Sequence, residues 1–211
     1  MSNGWNNRKA RLTEGRTGSW ATSSQDYVRH AVMLFEYSAL YARSIDGNCS
    51  PYTLSGLPIL FSALRALLIE ANGGLFGRGR DENSLKKLSE NLSDVRFVVD
   101  RYRLSTEAAS HLSVLYEARN EIIHPAHMPA GSPHGTPDGM LRLRELRLLQ
   151  STNLEDSDYV WISQLQSHRL FRWAFSIIED AAAVILKEHH ACEDDCISHL
   201  QSYAGYRDHD L

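Results

Sequence analysis

Apolar residues recur along this chain at alternating steps of four and three, the spacing that lines one face of an α-helix. Tyr27, Ala31, Leu34, Ser38, Tyr41 and Ile45 follow it after a start at Ser24-Gln25-Asp26, and Asp46-Gly47-Asn48 closes the segment. A second helix opens at Ser55-Gly56-Leu57-Pro58, with Pro58 tolerated in its first turn. It carries Leu60, Ala63, Leu64, Leu67, Leu68 and Ala71 to a stop at Asn72-Gly73-Gly74. Leu85, Leu88 and Leu92 mark a short helix over 81–92. Residues 95–102 are β-branched but have no partner strand, so a helical turn or an ordered link is expected there. Ser105-Thr106-Glu107 caps a helix that runs to about Ile123. The last long helix covers about 163–190. Leu170, Trp173, Ile177, Ala181 and Val184 make one of its stripes; Phe171, Phe175, Ile178, Ala182 and Ile185 make another. Two stripes are wider than one neighbour needs, so this helix is either central or part of a dimer interface, and the dimer interface is expected to contribute. The pattern predicts an all-α bundle of about five helices.

The rest divides around that bundle. Residues 1–22, rich in Gly, Asn, Ser and Thr, read as a flexible arm. Arg8, Lys9, Arg11 and Arg16, interleaved with Trp5 and Trp20, suit RNA or a partner, although a plain leader explains them as well. The bundle spans 23–190, with an insertion over about 125–162, and 191–211 form a tail. The glycine-rich loop 73–80 carries Arg78 and Arg80 but lacks the Lys-Ser/Thr ending of a phosphate-binding Walker motif. It is expected to be a mobile basic loop, for RNA phosphates or simply a connector. Within the insertion, 125–138 is a Pro-, Gly- and His-rich lid over His124. Residues 140–150 alternate Leu with Arg before losing the pattern at Glu145, so a strand or a short helix fits. Residues 158–162 would pair with a strand there as a small hairpin. Arg142 and Arg144, with Arg147, are the second candidate RNA contact.

One apolar helical pattern is interrupted by polar residues that look deliberate: Ala118-Arg119-Asn120-Glu121-Ile122-Ile123-His124-Pro125. Ala108, Leu112, Leu115, Arg119 and Ile122 share a stripe, so Arg119 stands where Leu or Ala would normally sit. A guanidinium cannot shed its charge to escape desolvation, so something anionic belongs near it. Glu70, near the end of the second helix, is one candidate; a solvated position is the plainer account of it. Asn120 and His124 are four apart and share a face. Pro125 disfavours helical geometry at His124, which ends the helix there and sets a titratable group at the negative end of its dipole. Arginine, amide and histidine converging at a helix end suit an anion, and a phosphodiester in particular. A buried ion pair and a carbonyl-capping histidine would also explain the residues.

Arg119, Asn120, three further residues and His124 resemble the signature of the HEPN family: Arg, a polar residue, three residues, His. The resemblance covers about 26–190, with only Arg119–His124 specific. It implies a compact helical bundle, usually a homodimer, and metal-independent endoribonuclease activity with no cofactor. Arg119 would bind the scissile phosphate, Asn120 would orient the substrate or His124, and His124 would act as acid or base while the ribose 2′-OH attacks. In the family two protomers bring their motifs together in one cleft. Many members are toxins paired with an antitoxin, or phage-defence effectors. Others have lost catalysis, so a non-catalytic module for a nucleotide or a protein partner is the alternative.

Composition narrows this only a little. With 211 residues, 43% hydrophobic and 23% charged, the chain suits one ordinary globular domain. A net charge of −4 excludes a generally basic nucleic-acid binder, so RNA contact must come from local patches or from a shared cleft. Three cysteines, Cys49, Cys192 and Cys196, are too few for a disulfide scaffold and fit a reducing cytoplasm. No membrane span or secretory leader is expected. His124, His127 and His134 lie in a loop that presets no metal geometry. His189, His190, Cys192, Cys196 and His199 have zinc-ligand side chains but not the usual spacing, so a frayed helix end is the expectation and no metal site is assigned.

Overall fold

A computed structural model describes residues 23–45, 47–72, 95–124, 138–150 and 161–189. The described residues form seven helices: α1 (Ser23–Ser44), α2 (Tyr52–Asn72), α3 (Val95–Tyr102), α4 (Thr106–Ile123), α5 (Asp138–Glu145), α6 (Trp161–Leu165) and α7 (His168–His189). No strand occurs among them, and the all-α bundle is the observed architecture. The expected 81–92 helix, the arm and the tail lie outside the described residues.

The two most apolar helices lie at the centre. α2 packs on α1 and α7, and α4 packs on both α2 and α7. Leu57, Leu60, Leu67 and Leu68 of α2 are fully buried, as are Leu170, Phe171, Ile178, Ala182 and Ile185 of α7. The double stripe on α7 is therefore satisfied within one chain, by α1 and α2 on one side and by α3 and α4 on the other. By length and composition the Tyr52–Ala71 stretch is apolar enough to cross a membrane. Its leucines instead pack into the bundle, which is the role of a core helix.

Three details differ from the periodicity argument. α1 buries Val28, Ala31, Phe35, Ser38 and Ala42, one position round from the expected stripe, while Tyr27, Tyr41 and Ile45 are exposed. This face packs chiefly on α2, with Phe35 reaching α7, and the tyrosines keep their polar tips in water. Tyr37 and Tyr41 cover Tyr52, with ring centroids 5.7 and 6.1 Å apart. α2 begins earlier than expected, so Pro51 precedes its first turn and Pro58 lies inside it. Of the two forms expected for 140–150 the short helix is observed: Asp138–Glu145 is a helix that buries Met140 and Leu143 against α4, and Trp161–Leu165 is another, while residues 158–160 of the expected hairpin lie outside the described residues.

A polar clasp explains both the early start of α2 and the break before α7. Ser167 accepts the Leu170 amide with its own hydroxyl, an N-cap bond of 3.2 Å. Asn48 grips the same corner: its Nδ2 donates to Ser167 Oγ at 2.7 Å, and its Oδ1 accepts from the Arg169 amide at 2.7 Å. Ser50 N–H donates to the Gln166 carbonyl at 2.8 Å. Thr53 Oγ1 donates to the Ser167 carbonyl at 2.9 Å. The turn between α1 and α2 thus satisfies backbone groups that the start of α7 would otherwise leave unpaired.

Beneath the clasp sits an aromatic cluster. Phe35 meets Phe171 and Phe175 edge-on at 5.5 and 5.1 Å. His168 lies 4.9 Å from Phe35 and shares a 2.8 Å hydrogen bond between Nδ1 and Ser38 Oγ. Burial lowers its pKa from 6.5 to about 4, helped by the positive charges of Arg172 and Arg43. The unfolded chain takes up this proton near pH 6.5 and the folded chain refuses it until about pH 4, so stability falls as pH drops through that window. The predicted loss is about 3 kcal/mol between those limits. Urea titrations across this pH window should show a steeper loss in wild type than in His168→Asn, whose side chain at 168 cannot titrate.

Phe171 also lies directly on the backbone of α2: a Cβ at Gly56 would fall within its ring, against Cζ and Cε1. Gly56→Ala is predicted to destabilise the fold by about 2 kcal/mol or more, because neither α2 nor Phe171 has room to yield. Gly47→Ala, whose Cβ meets only ordinary contacts, should stay within about 0.5 kcal/mol of wild type in the same denaturation assay.

Candidate functional site

α4 positions the motif. Ser105 caps its first turn by accepting the Ala108 amide at 3.1 Å, and Leu112, Val114, Leu115 and Ala118 are buried. The buried side of this helix is confined to 112–118, and Arg119 lies just beyond its end. Arg119 is consequently half-buried, with Asn120 beside it in the same state and His124 exposed. Phe61 of α2 supports this end edge-on against Tyr116, at 5.9 Å.

The helix ends as the Pro125 argument requires. His124 is the C-cap, with φ −128° and ψ 66°, outside the helical region. Its amide still donates to the Asn120 carbonyl at 2.7 Å, so the backbone stays hydrogen-bonded to the last residue. The imidazole stands in solvent one turn beyond Asn120.

The side chains of Arg119 and Asn120 meet. Arg119 Nη1 donates to Asn120 Oδ1 at 2.9 Å. Arg119 Nε is buried and makes no hydrogen bond. Among the described residues no carboxylate pairs with this guanidinium. Glu70 accepts instead from Ser24, from its amide at 3.1 Å and its hydroxyl at 2.5 Å, and so caps α1. The suggestion that Glu70 meets Arg119 is thereby corrected: an N-terminal serine offers two donors to one carboxylate, a better-matched partner for it. A cation fixed by a neutral amide retains its charge and several free donors. An anion that approaches the end of α4 would meet them beside a solvent-open imidazole.

The other expected contacts do not gather here. Arg142 forms an exposed pair with Glu145 at 2.7 Å, and Arg144 is likewise engaged within the chain. Arg78 and Arg80, the 125–137 lid and residues 190–211 of the His/Cys tail lie outside the described residues. Among the described residues no group of three or more His, Cys, Asp or Glu could hold a metal ion. The Arg119–Asn120 bond is not legible from spacing, because neighbours on a helix diverge by about 100° and meet only when the longer side chain folds back.

No protein-family model, curated protein or solved structure matches this chain. The α4 site therefore rests on its own residues.

If Arg119 served the fold through an ion pair, removing it would strand a buried carboxylate and cost about 3 kcal/mol or more. With an amide as its described partner, Arg119→Met is predicted to change stability by less than about 1 kcal/mol, or to raise it. Chemical denaturation of the two proteins separates these outcomes.

Proposed function

We propose that the protein is a metal-independent endoribonuclease of HEPN type, with Arg119, Asn120 and His124 as its site. The observation that carries this reading is a half-buried guanidinium with an amide, and no described carboxylate, as its partner, one turn from an exposed histidine. Such an arrangement suits a group that brings its own negative charge, as a phosphodiester does.

The chemistry follows from the donors available. Arg119 would hold two phosphate oxygens through its planar fork and stabilise the charge that develops as the ribose 2′-OH attacks phosphorus. Asn120 would fix the rotation of that fork, since it already accepts one of its protons. His124 would remove the 2′-OH proton or protonate the leaving 5′-oxygen, and it has the freedom to do so at a solvent-open helix end. The products would be a 2′,3′-cyclic phosphate and a 5′-hydroxyl.

One histidine serves one proton transfer well, and the reaction needs two. A second copy of the motif would supply the other, which is the reason to expect a homodimer with paired α4 ends. Met33 and Leu40 form an exposed apolar stripe on α1, a helix that packs chiefly on α2 and not on α4. Pairing through that stripe would leave the two motifs apart, so the reading calls for contact at the α4 ends themselves. A toxin or phage-defence effector acting in the cytoplasm, with or without an antitoxin, is the biological role this chemistry would serve.

The test is cleavage of mixed RNA in excess chelator. Wild type should leave cyclic-phosphate ends, and His124→Ala should lower the rate by about 10²- to 10⁴-fold. Arg119→Lys should rescue little, because a point charge cannot replace the fork. A 1:1 mixture of the Arg119→Ala and His124→Ala proteins should recover part of the activity if two copies share one cleft. Intact RNA with wild-type protein across several substrates would defeat the proposal.

A further inference from the structure

A second basic feature lies away from the α4 end. An open cleft of about 480 Å³ is formed where the turn after α5 meets the first half of α7. Arg147, Arg169 and Arg172 line it together with Leu148, Trp173 and Ser176. All three arginines are exposed, and among the described residues none pairs with a carboxylate. Trp173 is half-buried and rests edge-on against His111 of α4 at 5.4 Å.

This arrangement works against the stability of the fold in two ways. α5 ends in a Schellman turn: the Arg147 amide donates to the Arg144 carbonyl at 2.9 Å, and the Leu148 amide to the Leu143 carbonyl at 3.0 Å. The residue in the left-handed position of such a turn is usually glycine, yet here it is Arg147, with φ 56°. Arg169 and Arg172 occupy the first turns of α7, where the helix dipole disfavours positive charge. The positive potential is felt nearby, since Arg172 is one of the charges that hold His168 neutral. A left-handed arginine also occurs at Arg103, so strain alone does not mark a site; three guanidinium groups lining one cleft with no described carboxylate partner point to an anionic ligand.

The chemistry of the cleft selects that ligand. Three guanidinium forks match phosphate oxygens. Leu148 and the indole of Trp173 offer an apolar wall suited to a nucleobase. The volume is that of a small-molecule site, too small for a duplex. α4 runs from His111, beside Trp173, to Arg119 eight residues later, about 12 Å along the helix axis. We infer that this cleft is a nucleotide-binding site that holds single-stranded RNA, with phosphates on Arg147, Arg169 and Arg172 and a base against Leu148 and Trp173. The identity of the strand rests on the ribonuclease reading of the α4 site; binding in the cleft does not require cleavage.

The test uses the full chain and a short fluorescent 2′-O-methyl oligoribonucleotide, which lacks the nucleophile and cannot be cut. Anisotropy titrations should show Arg172→Ala and Arg147→Gly each weakening binding about tenfold. Each should also lower the log–log salt slope by about 0.7, one phosphate contact on a single strand. Arg101→Ala, at the opposite end of α7 beside Glu188, should bind as wild type does. Arg147→Gly should meanwhile raise the melting temperature by about 2–4 °C, because glycine removes the left-handed strain. Weaker binding in a more stable protein is an outcome that a purely structural arginine would not produce. Unchanged affinity in both variants overturns the inference, as does equal competition from an acidic peptide of the same charge. Tighter binding of a free nucleoside triphosphate than of the oligomer overturns the strand assignment. Oligomer binding without RNA cleavage would leave the cleft standing and the catalytic reading fallen; cleavage without cleft binding would do the reverse.

Discussion

Phe171 lies where any side chain at position 56 would have to be, and that close approach fixes how α2 and α7 cross. The remaining packing follows from it. With its ring against bare backbone, Phe171 brings Phe35 and Phe175 within aromatic contact and draws α1 onto the same centre. α1 then needs small inward residues, and it has Ala31, Ser38 and Ala42. α4 takes the opposite side of the pair, which leaves its C-terminal end at the margin of the core. A half-buried arginine is tolerated at such a margin, where its apolar stem packs and its charged head keeps a route to solvent.

Much of this was legible in the chain, and the exceptions have a common cause. α4 could be read from Ser105 to the residue before Pro125, because a cap and a proline are local signals that the rest of the molecule does not override. The double stripe of α7 fits a central place or a dimer interface equally well, and only the packed bundle shows α1, α2, α3 and α4 against it. The inward face of α1 differs by one position because Tyr27-Val28, Leu34-Phe35 and Tyr41-Ala42 each put apolar residues in two adjacent registers, and only packing chooses between them. Pro58 misled in the same manner. The true start of α2 is set by Asn48, Ser50 and Thr53 meeting residues about 114 to 121 positions away, and no local pattern reports such a contact. His168 was overlooked because a histidine at a helix start reads as polar surface until Ser38 and Phe35 are placed around it.

The two basic features differ in what the sequence reveals of them. Arg119 announces itself by standing on an apolar stripe. Arg169 and Arg172 look like ordinary solvated positions, and only the return of the chain after α5 sets Arg147 against them. Of the arginines that draw the eye, Arg142 is paired with its neighbour Glu145, and Arg144 also has a partner within the chain. A guanidinium tied to a carboxylate is a poor receptor for phosphate, so the absence of a local partner is a better guide than the density of basic residues.

The clasp at Ser167 has a consequence for the order in which the molecule can be made. Asn48 is synthesised 119 residues before Ser167, and α2 is complete 96 residues before α7 begins. At cellular rates of chain elongation, α2 has α1 beside it but lacks α7 for on the order of ten seconds. During that time its leucines face whatever lies outside the ribosome. A newly made α1–α2 hairpin is thus a natural client for chaperones that shield apolar helices, and the native crossing at Gly56 is among the last contacts the nascent protein completes.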